Sequence, residues 1–487
     1  MQSWGTKIIS KNFRLFAYVV HAFNIWSFKM TYFGKGYERM IEKIVEITEE
    51  YKELHKKTAR KNKGQFFTPP EIARYMAMAT AKKAESLSIL DPGCGNAILS
   101  AAVVEACIQS KKCFNFIITL VENDEAVMNV TNESIRIIER YVSENGGSVR
   151  FLLKKENFIT LSLTEKYDIV ISNPPYKKLR KDSEEARCMH HVLYGQPNLY
   201  GLFMAKSLDA LKEGGRFVFI TPRSWTTGLY YKALREYVFK TLNIEELLLF
   251  NDRGKVFANE DVLQETMIMF GKKGVKQNRD IQIRIATGSD MITYKNITAE
   301  TDLIKDIGED HYLFLPSNME EMNAIKRMVE KKKNFLSSGY IFKTGPVVEF
   351  RNKEYLDKTR DIRMYRAAHV VKGKCVFPVN TDKSQYISKD AKHLMIPNSP
   401  TVFVKRITAK EESKRLQCCV YVPSQNERYI SVENHLNYLT RIDHKPLSVT
   451  EATTICNLLN SDLYDTYYRV LGGSTQVNAG DLNNLPL

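Results

Sequence analysis

The segment Ser172-Asn173-Pro174-Pro175-Tyr176 sets two hydrogen-bond acceptors, two stiff residues and one aromatic ring in a row. That combination suits one kind of chemistry. An amine conjugated to an aromatic ring is a poor nucleophile because its lone pair is delocalised. Two acceptors aimed at its hydrogens draw the nitrogen toward sp3 geometry and free the lone pair for attack. The side-chain oxygen of Asn173 and the carbonyl of Pro174 can be those acceptors. Prolines 174 and 175 stiffen the loop and lack N–H groups. Tyr176 offers a face on which a flat ring stacks. Such a site needs no strong base and no metal; rate comes from positioning and preorganised hydrogen bonds. Asn-Pro-Pro is also an ordinary turn former. Its place directly after the apolar run 168–171 makes the catalytic reading the better one.

A second set of residues points to what is transferred. Leu90-Asp91-Pro92-Gly93-Cys94-Gly95-Asn96 follows an apolar run and precedes a helix-like stretch. Glycines there allow a tight turn and close approach to a ligand. The next apolar run ends in Val121-Glu122-Asn123-Asp124. An acid at the end of a second strand accepts hydrogen bonds from both ribose hydroxyls of a nucleoside. Asp91, Pro92, Gly93, Gly95 and Glu122 are therefore candidate cofactor residues. The loop is not G-x-G-x-x-G, which favours S-adenosylmethionine over a dinucleotide. No metal is expected: none of the eight cysteines forms a C-x-x-C pair, and no histidine cluster has zinc-ligand spacing. Buried free thiols in a reducing cytoplasm are expected instead.

These residues need elements to hold them. Apolar runs at 87–90, 116–121, 149–153, 168–171 and 216–220 alternate with helix-like stretches such as 98–109 and 202–212, the latter closed by Gly214-Gly215. Alternation of this kind predicts an α/β fold, a doubly wound, mostly parallel Rossmann-like sheet. Ligands bind such sheets at the carboxyl ends of the strands, and the residues above sit there. Beyond about residue 275 the alternation fades into basic, polar and aromatic segments, among them 343–351 (KTGPVVEFR) and 404–414 (VKRITAKEESK), read as loops and edges. Upstream, Ile41, Ile44, Val45, Ile47, Tyr51 and Leu54 have helical spacing, followed by the basic run Lys56, Lys57, Arg60, Lys61, Lys63. Residues 15–28 are apolar but too short to span a bilayer and carry His21 and Asn24; a core helix, or a leader ahead of a start at Met30, is expected there. Three parts result: an N-terminal helical extension (1–63), a cofactor-binding catalytic domain (64–275) and a C-terminal domain (276–487). The 487 residues carry 71 Lys and Arg against 56 Asp and Glu, a net charge of +15, which suits a nucleic-acid partner.

The order of motifs resembles the gamma-type DNA adenine-N6 methyltransferases of type II restriction–modification systems, the PstI/BsuBI group in particular. The likeness begins at Gly64-Gln65-Phe66-Phe67-Thr68-Pro69-Pro70 and runs through Asp91 to Gly95, Glu122, Glu156-Asn157-Phe158, Asn173 to Tyr176, Leu199-Tyr200-Gly201-Leu202-Phe203, residues 217–222, Val256-Phe257 and residues 262–270. It implies that Phe66, Thr68 and Pro69 touch the methionine part of S-adenosylmethionine and that Asn157 and Phe158 meet its adenine. It also implies that Tyr176 and Phe257 sandwich a flipped adenine. Asn157 stands where the family usually has Asp, and Ala97 where it usually has a second Gly. Residues 343–351, 404–415 and 471–478 resemble the group's C-terminal part more loosely; the likeness implies an α+β target-recognition domain, with Arg351, Lys405 and Arg406 as candidate DNA contacts. The implied partners are double-stranded DNA and, functionally, a restriction endonuclease; a cytoplasmic monomer without membrane attachment is expected, and a six-base palindrome of the CTGCAG kind. Two other readings use the same residues. One is methylation of ribosomal RNA or of a protein glutamine, whose enzymes are usually shorter. The other is a DNA-binding protein on a decayed enzyme fold, which has no need of an intact Asn173–Tyr176 loop.

Overall fold

The computed structural model describes residues 40–55, 66–193, 195–250, 265–274, 276–286, 294–307, 310–356, 360–409, 411–423, 427–471 and 476–487. Phe257, the basic run 56–63 and the apolar stretch 15–28 lie outside them.

Two helices come first. α1 (Met40–Leu54) buries Met40, Ile41, Ile44, Thr48 and Tyr51, one stripe at helical spacing. α2 (Pro70–Met78) starts on a proline in its first turn, where no N–H is missed. The elements then alternate: β1 (Leu87–Pro92), α3 (Ile98–Gln109), β2 (Asn115–Val121), α4 (Met128–Glu144), β3 (Ser148–Lys154), β4 (Tyr167–Ser172), α5 (Leu199–Ala210), β5 (Leu211–Pro222), α6 (Lys232–Thr241), β6 (Leu242–Phe250), β7 (Thr266–Lys273), β8 (Asp280–Ala286) and β9 (Tyr294–Glu300). They build one nine-stranded sheet in the order β3-β2-β1-β4-β5-β7-β6-β8-β9. The first five strands pair in parallel, and β7 runs antiparallel between β5 and β6. This is the doubly wound arrangement the apolar runs predict. β1 and β4 are buried on both faces, which is why they read as unbroken apolar runs.

Two expectations change. The helix expected over 202–212 ends at Ala210, and Gly214 and Gly215 lie inside β5 instead of closing a helix. A side chain at Gly215 would stand 2.8 Å from the Lys212 carbonyl and 3.2 Å from that of Tyr167, so glycine serves a close approach at the start of the β4–β5 pairing. The sheet also continues past residue 275, through β8 and β9. β8 turns only Ile281, Ile283 and Ile285 inward, so it alternates and does not show the continuous apolar run of a central strand.

The rest is α+β. β10 (Tyr340–Thr344), β12 (Thr401–Lys405), β13 (Cys418–Tyr421) and β15 (Leu436–Arg441) belong to a six-stranded sheet, and β11 (Ile362–Tyr365) and β14 (Tyr429–Val432) to a four-stranded one. The segment 343–351 is thus the end of an edge strand, a crossing and a 3-10 turn at Glu349–Arg351. One hydrophobic core holds Phe203 and Phe217 of the first part together with Phe314, Phe342 and Tyr464 of the second. Among the described residues no helix is long and apolar enough to cross a membrane.

Candidate active site

From β1 the chain moves outward to β2 and β3, then returns to place β4 on the other side of β1. The loops leaving β1 and β4 therefore diverge and open a crevice at the carboxyl ends of these two strands. The Ser172 hydroxyl donates to the Pro92 carbonyl at 2.7 Å and ties the two strand ends together.

The β1 loop is folded back on its neighbours. The N–H groups of Gly93 and Cys94 donate to the Val121 carbonyl at 2.8 and 3.1 Å. Gly93 and Gly95 have φ of 70° and 53°, a region that disfavours side chains. A Cβ on Gly93 would lie 3.3 Å from the Phe203 ring and 3.7 Å from Pro175, closing the space between this loop and the catalytic one. Ala97 adopts the same left-handed conformation, φ 56°, which the usual glycine takes without strain.

Two carboxylates face this loop. Glu122 accepts hydrogen bonds from Gly95 N–H at 3.1 Å and from the N–H groups of Asn123 and Asp124, both at 2.9 Å. Burial still pushes its pKa above the usual carboxylate range. The group remains half-buried, able to meet a ligand at the end of β2. Asp91 is fully buried and accepts from the N–H and hydroxyl of Ser100, pinning the first turn of α3. Desolvation raises its pKa to about 7, and its Oδ1 has no partner among the described residues. Asp91 thus shapes the cofactor loop from below.

The catalytic loop is oriented by the segment upstream of α2. The Asn173 amide nitrogen donates to the Phe66 carbonyl and to the Thr68 hydroxyl, each at 3.1 Å. Two acceptors on that nitrogen fix the amide, and Oδ1 is left as its acceptor end. The Tyr176 hydroxyl donates to that Oδ1 at 3.2 Å and to the Ile220 carbonyl at 3.3 Å. Its ring lies between Phe66 and Tyr200, with centroids 6.0 Å from each. Enclosure raises the Tyr176 phenol well above its ordinary value, so it stays protonated and donates. Thr68 is buried, and Pro69 leads into α2, its carbonyl accepting from Ala73 N–H.

Asn157 and Phe158 are placed differently from the rest. The Asn157 oxygen accepts from Ile159 N–H at 3.0 Å, and its amide donates to Glu185 at 2.9 Å. The Phe158 ring packs on Phe203 at 4.9 Å with the Lys206 ammonium 5.5 Å from its centroid. Phe158 thus backs Phe203, which faces Gly93, and Asn157 ties its loop to Glu185.

Several residues the sequence did not single out hold the site. The Asn96 amide donates to Thr48 of α1 at 2.8 Å while its oxygen accepts from Ile98 N–H, capping α3. The Thr131 hydroxyl of α4 donates to the Gly95 carbonyl at 2.7 Å. None of Thr48, Ser100 or Thr131 lies in a motif; each is a buried polar position inside an apolar helix face, the one trace they leave in the sequence.

The C-terminal candidates lie elsewhere. Arg351 is exposed, its guanidinium 5.3 Å from the ring of Phe350, which is 70% exposed. The Lys405 ammonium donates to Gln417 at 2.9 Å, and Arg406 donates to the Asn434 carbonyl at 3.2 Å. Among the described residues no three His, Cys, Asp or Glu side chains gather as a metal site.

Residues 78–257 match the family described as Eco57I restriction-modification methylase. The chain is 29% identical over 442 residues to the type II methyltransferase M.BsuBI of Bacillus subtilis, covering 87% of each chain. It is 28% identical over 445 residues to M.PstI of Providencia stuartii, covering 88% of this chain and 87% of that one. A nuclease-deletion mutant of the type ISP restriction-modification enzyme LlaGI, solved with a DNA substrate mimic, overlaps 82% of the chain and 51% of its own length at 12% identity and a TM-score of 0.49.

Proposed function

Starting from a chain related over most of its length to the type II methyltransferases of restriction–modification systems, we propose that it methylates N6 of adenine at a specific site in double-stranded DNA and so protects that site from a cognate endonuclease. The observation that carries this reading is the fixed Asn173 amide, whose nitrogen is held by Phe66 and Thr68 and whose oxygen is left to accept. An exocyclic amine needs such an acceptor.

The β1 and β2 ends fit S-adenosylmethionine. Gly93 leaves a gap that a Cβ, 3.3 Å from the Phe203 ring, would narrow, and Glu122 sits where ribose hydroxyls would donate. When bound, S-adenosylmethionine supplies an electrophilic methyl group on a sulfonium. The chain does the rest. Phe66, Thr68 and Pro69 line the methionine end, and Phe158 and Asn157 the adenine end. Tyr176 supports the flipped base on one face, and Phe257 is the counterpart on the other. Asn173 Oδ1 and the Pro174 carbonyl accept the two amine hydrogens and direct the lone pair along the transfer axis. Tyr176 holds Asn173 in place through its hydroxyl.

The catalytic domain in this reading reaches residue 300, the end of β9, and the region beyond it selects the site. Relatives that align across both regions favour DNA over ribosomal RNA or a protein glutamine. The enzyme acts as a monomer in the cytoplasm, where its DNA is. The test is to incubate the chain with labelled S-adenosylmethionine and unmethylated bacterial DNA, digest to nucleosides and identify the labelled one. N6-methyladenine is expected. Label on cytosine would overturn the choice of base, and label on RNA or protein alone would overturn the choice of substrate.

A further inference from the structure

Two C-terminal segments that the catalytic reading leaves unused meet at one turn, and a third is bonded to one of them. After β10, Gly345 passes so near the turn following β14 that a Cβ there would stand 2.3 Å from the Glu433 carbonyl. Val347 N–H donates to the Val432 carbonyl at 3.1 Å, and Asn434 N–H donates to the Val347 carbonyl at 2.9 Å. Arg406 N–H, just after β12, donates to the His435 carbonyl at 2.9 Å, and the Arg406 carbonyl accepts from Val477 N–H at 2.7 Å. The turn 433–435 is therefore held by the segments 345–347 and 404–406, and Val477 is bonded to the second of these.

This turn carries a buried charge. Glu433 is 2% exposed, and its carboxylate accepts from the His435 N–H at 3.0 Å and pairs with His435 Nδ1. Burying a carboxylate is costly unless its charge is matched. Here it is turned on a single imidazole that is itself 45% exposed. In the neutral ring, an Nδ1–H donated to Glu433 fixes the tautomer and leaves Nε2 an acceptor. β12 and β15 pair with Lys405 opposite Leu436, and the Arg406 N–H bond to the His435 carbonyl sets these two residues side by side just beyond that pairing. Arg406 Nη1 is anchored on the Asn434 carbonyl at 3.2 Å. Arg406 and His435 are both half-buried neighbours at this turn, so a donor and an acceptor are offered together there.

A phosphate takes donors only; an acceptor locked in place by a buried carboxylate does nothing for it. A base-pair edge in the major groove takes both. Guanine presents two acceptors, which suit a guanidinium, and the paired cytosine presents its N4 amine, which suits imidazole Nε2. We propose that Arg406 and His435 read one G·C pair of the target site, with Glu433 as the positioning residue. This rests on the DNA methyltransferase reading above.

The experiment methylates a duplex library in which each position around the modified base is varied, and then sequences the methylated molecules. For the wild-type chain a defined site is expected. In Arg406→Ala and in His435→Ala, discrimination at one and the same G·C pair is expected to fall by about 5- to 150-fold, with other positions unchanged. Glu433→Gln is expected to relax that pair less, and His435→Gln, which keeps an acceptor, to retain most of the preference. The wild-type protein offers a second readout that does not depend on a variant folding. Replacing that guanine by 7-deazaguanine removes an acceptor and is expected to slow methylation about tenfold, and not to slow it in Arg406→Ala. An unchanged site profile would overturn the proposal. So would relaxation at an A·T pair, or a uniform loss on all sequences with a salt dependence shallower by about one, the mark of a phosphate contact. A wild-type chain that methylates RNA or protein but no duplex would overturn the underlying reading itself.

Discussion

At the scale of single residues, the site turns on which end of the Asn173 amide meets the substrate. Thr68 is one of two acceptors on its nitrogen, at 3.1 Å. Thr68→Val removes that acceptor without changing size and frees the amide to rotate. The expected result is a fall in kcat of about tenfold with a smaller change in the KM for DNA, since the effect lies on orientation and not on uniform binding. Asp91 supplies a second test. Its folded pKa is raised to about 7 from 3.8 by burial, so the folded chain holds the proton more tightly than the unfolded chain does. The stability this group contributes is therefore lost as pH rises from about 4 to 7 and stays lost above. Asp91→Asn keeps an acceptor for Ser100 and removes the buried charge. It is expected to raise stability by roughly 2–4 kcal/mol at pH 8, with little difference from wild type near pH 4. Denaturant melts at the two pH values check this.

At the scale of elements, α1 is a brace for the cofactor loop. Its buried stripe packs on α2 and α3, and Thr48 reaches Asn96 at 2.8 Å. Thr48→Val leaves a buried amide nitrogen without its acceptor, a loss of about 1–3 kcal/mol. A lower unfolding midpoint with weaker S-adenosylmethionine binding is expected, measured by calorimetry on the full chain. The strands that position the site were legible in the sequence because β1 and β4 are buried on both faces, and β2 over residues 118–121, and appear as apolar runs bounded by chemistry. β8 and β9 were not, because a strand with one solvated face alternates, and alternation among charged residues resembles a loop. The position of the Asn173–Tyr176 loop at a strand end was legible for the same reason as the strand before it. The brace was not: Thr48 and Thr131 act across gaps of 48 and 36 residues and Ser100 across 9, and a lone hydroxyl on an apolar helix face carries no spacing to detect.

At the scale of the whole molecule, two parts share one core and one buried guanidinium. Arg235 is fully buried and donates to the carbonyls of Trp225 at 2.8 Å, Gly228 at 2.7 Å and Asp310 at 2.7 Å, joining the segment after β5 to the start of the C-terminal part. Arg235→Met strands three carbonyls and is expected to lower stability by about 3–5 kcal/mol, seen as a lower denaturation midpoint. The net charge of +15 belongs to this scale too. DNA affinity is expected to fall by a factor of about 10³ or more between 50 and 200 mM salt, as a protein with several phosphate contacts requires. The alternation fades near residue 275 in the sequence, short of β8 and β9, which carry the sheet on to residue 300. The convergence of residues 345, 347 and 406 on one turn was not legible, because pairing between distant strands leaves no local pattern.

The central claim is that Asn173 makes an aromatic amine reactive and does not hold the cofactor. The direct measurement is single-turnover methyl transfer to duplex DNA by Asn173→Ala beside wild type, with S-adenosylmethionine affinity measured on the same samples. A loss of at least about 10²–10³ in transfer rate with cofactor affinity within a few-fold is the expected result. Transfer at near the wild-type rate, or a loss explained wholly by weaker cofactor binding, would contradict it.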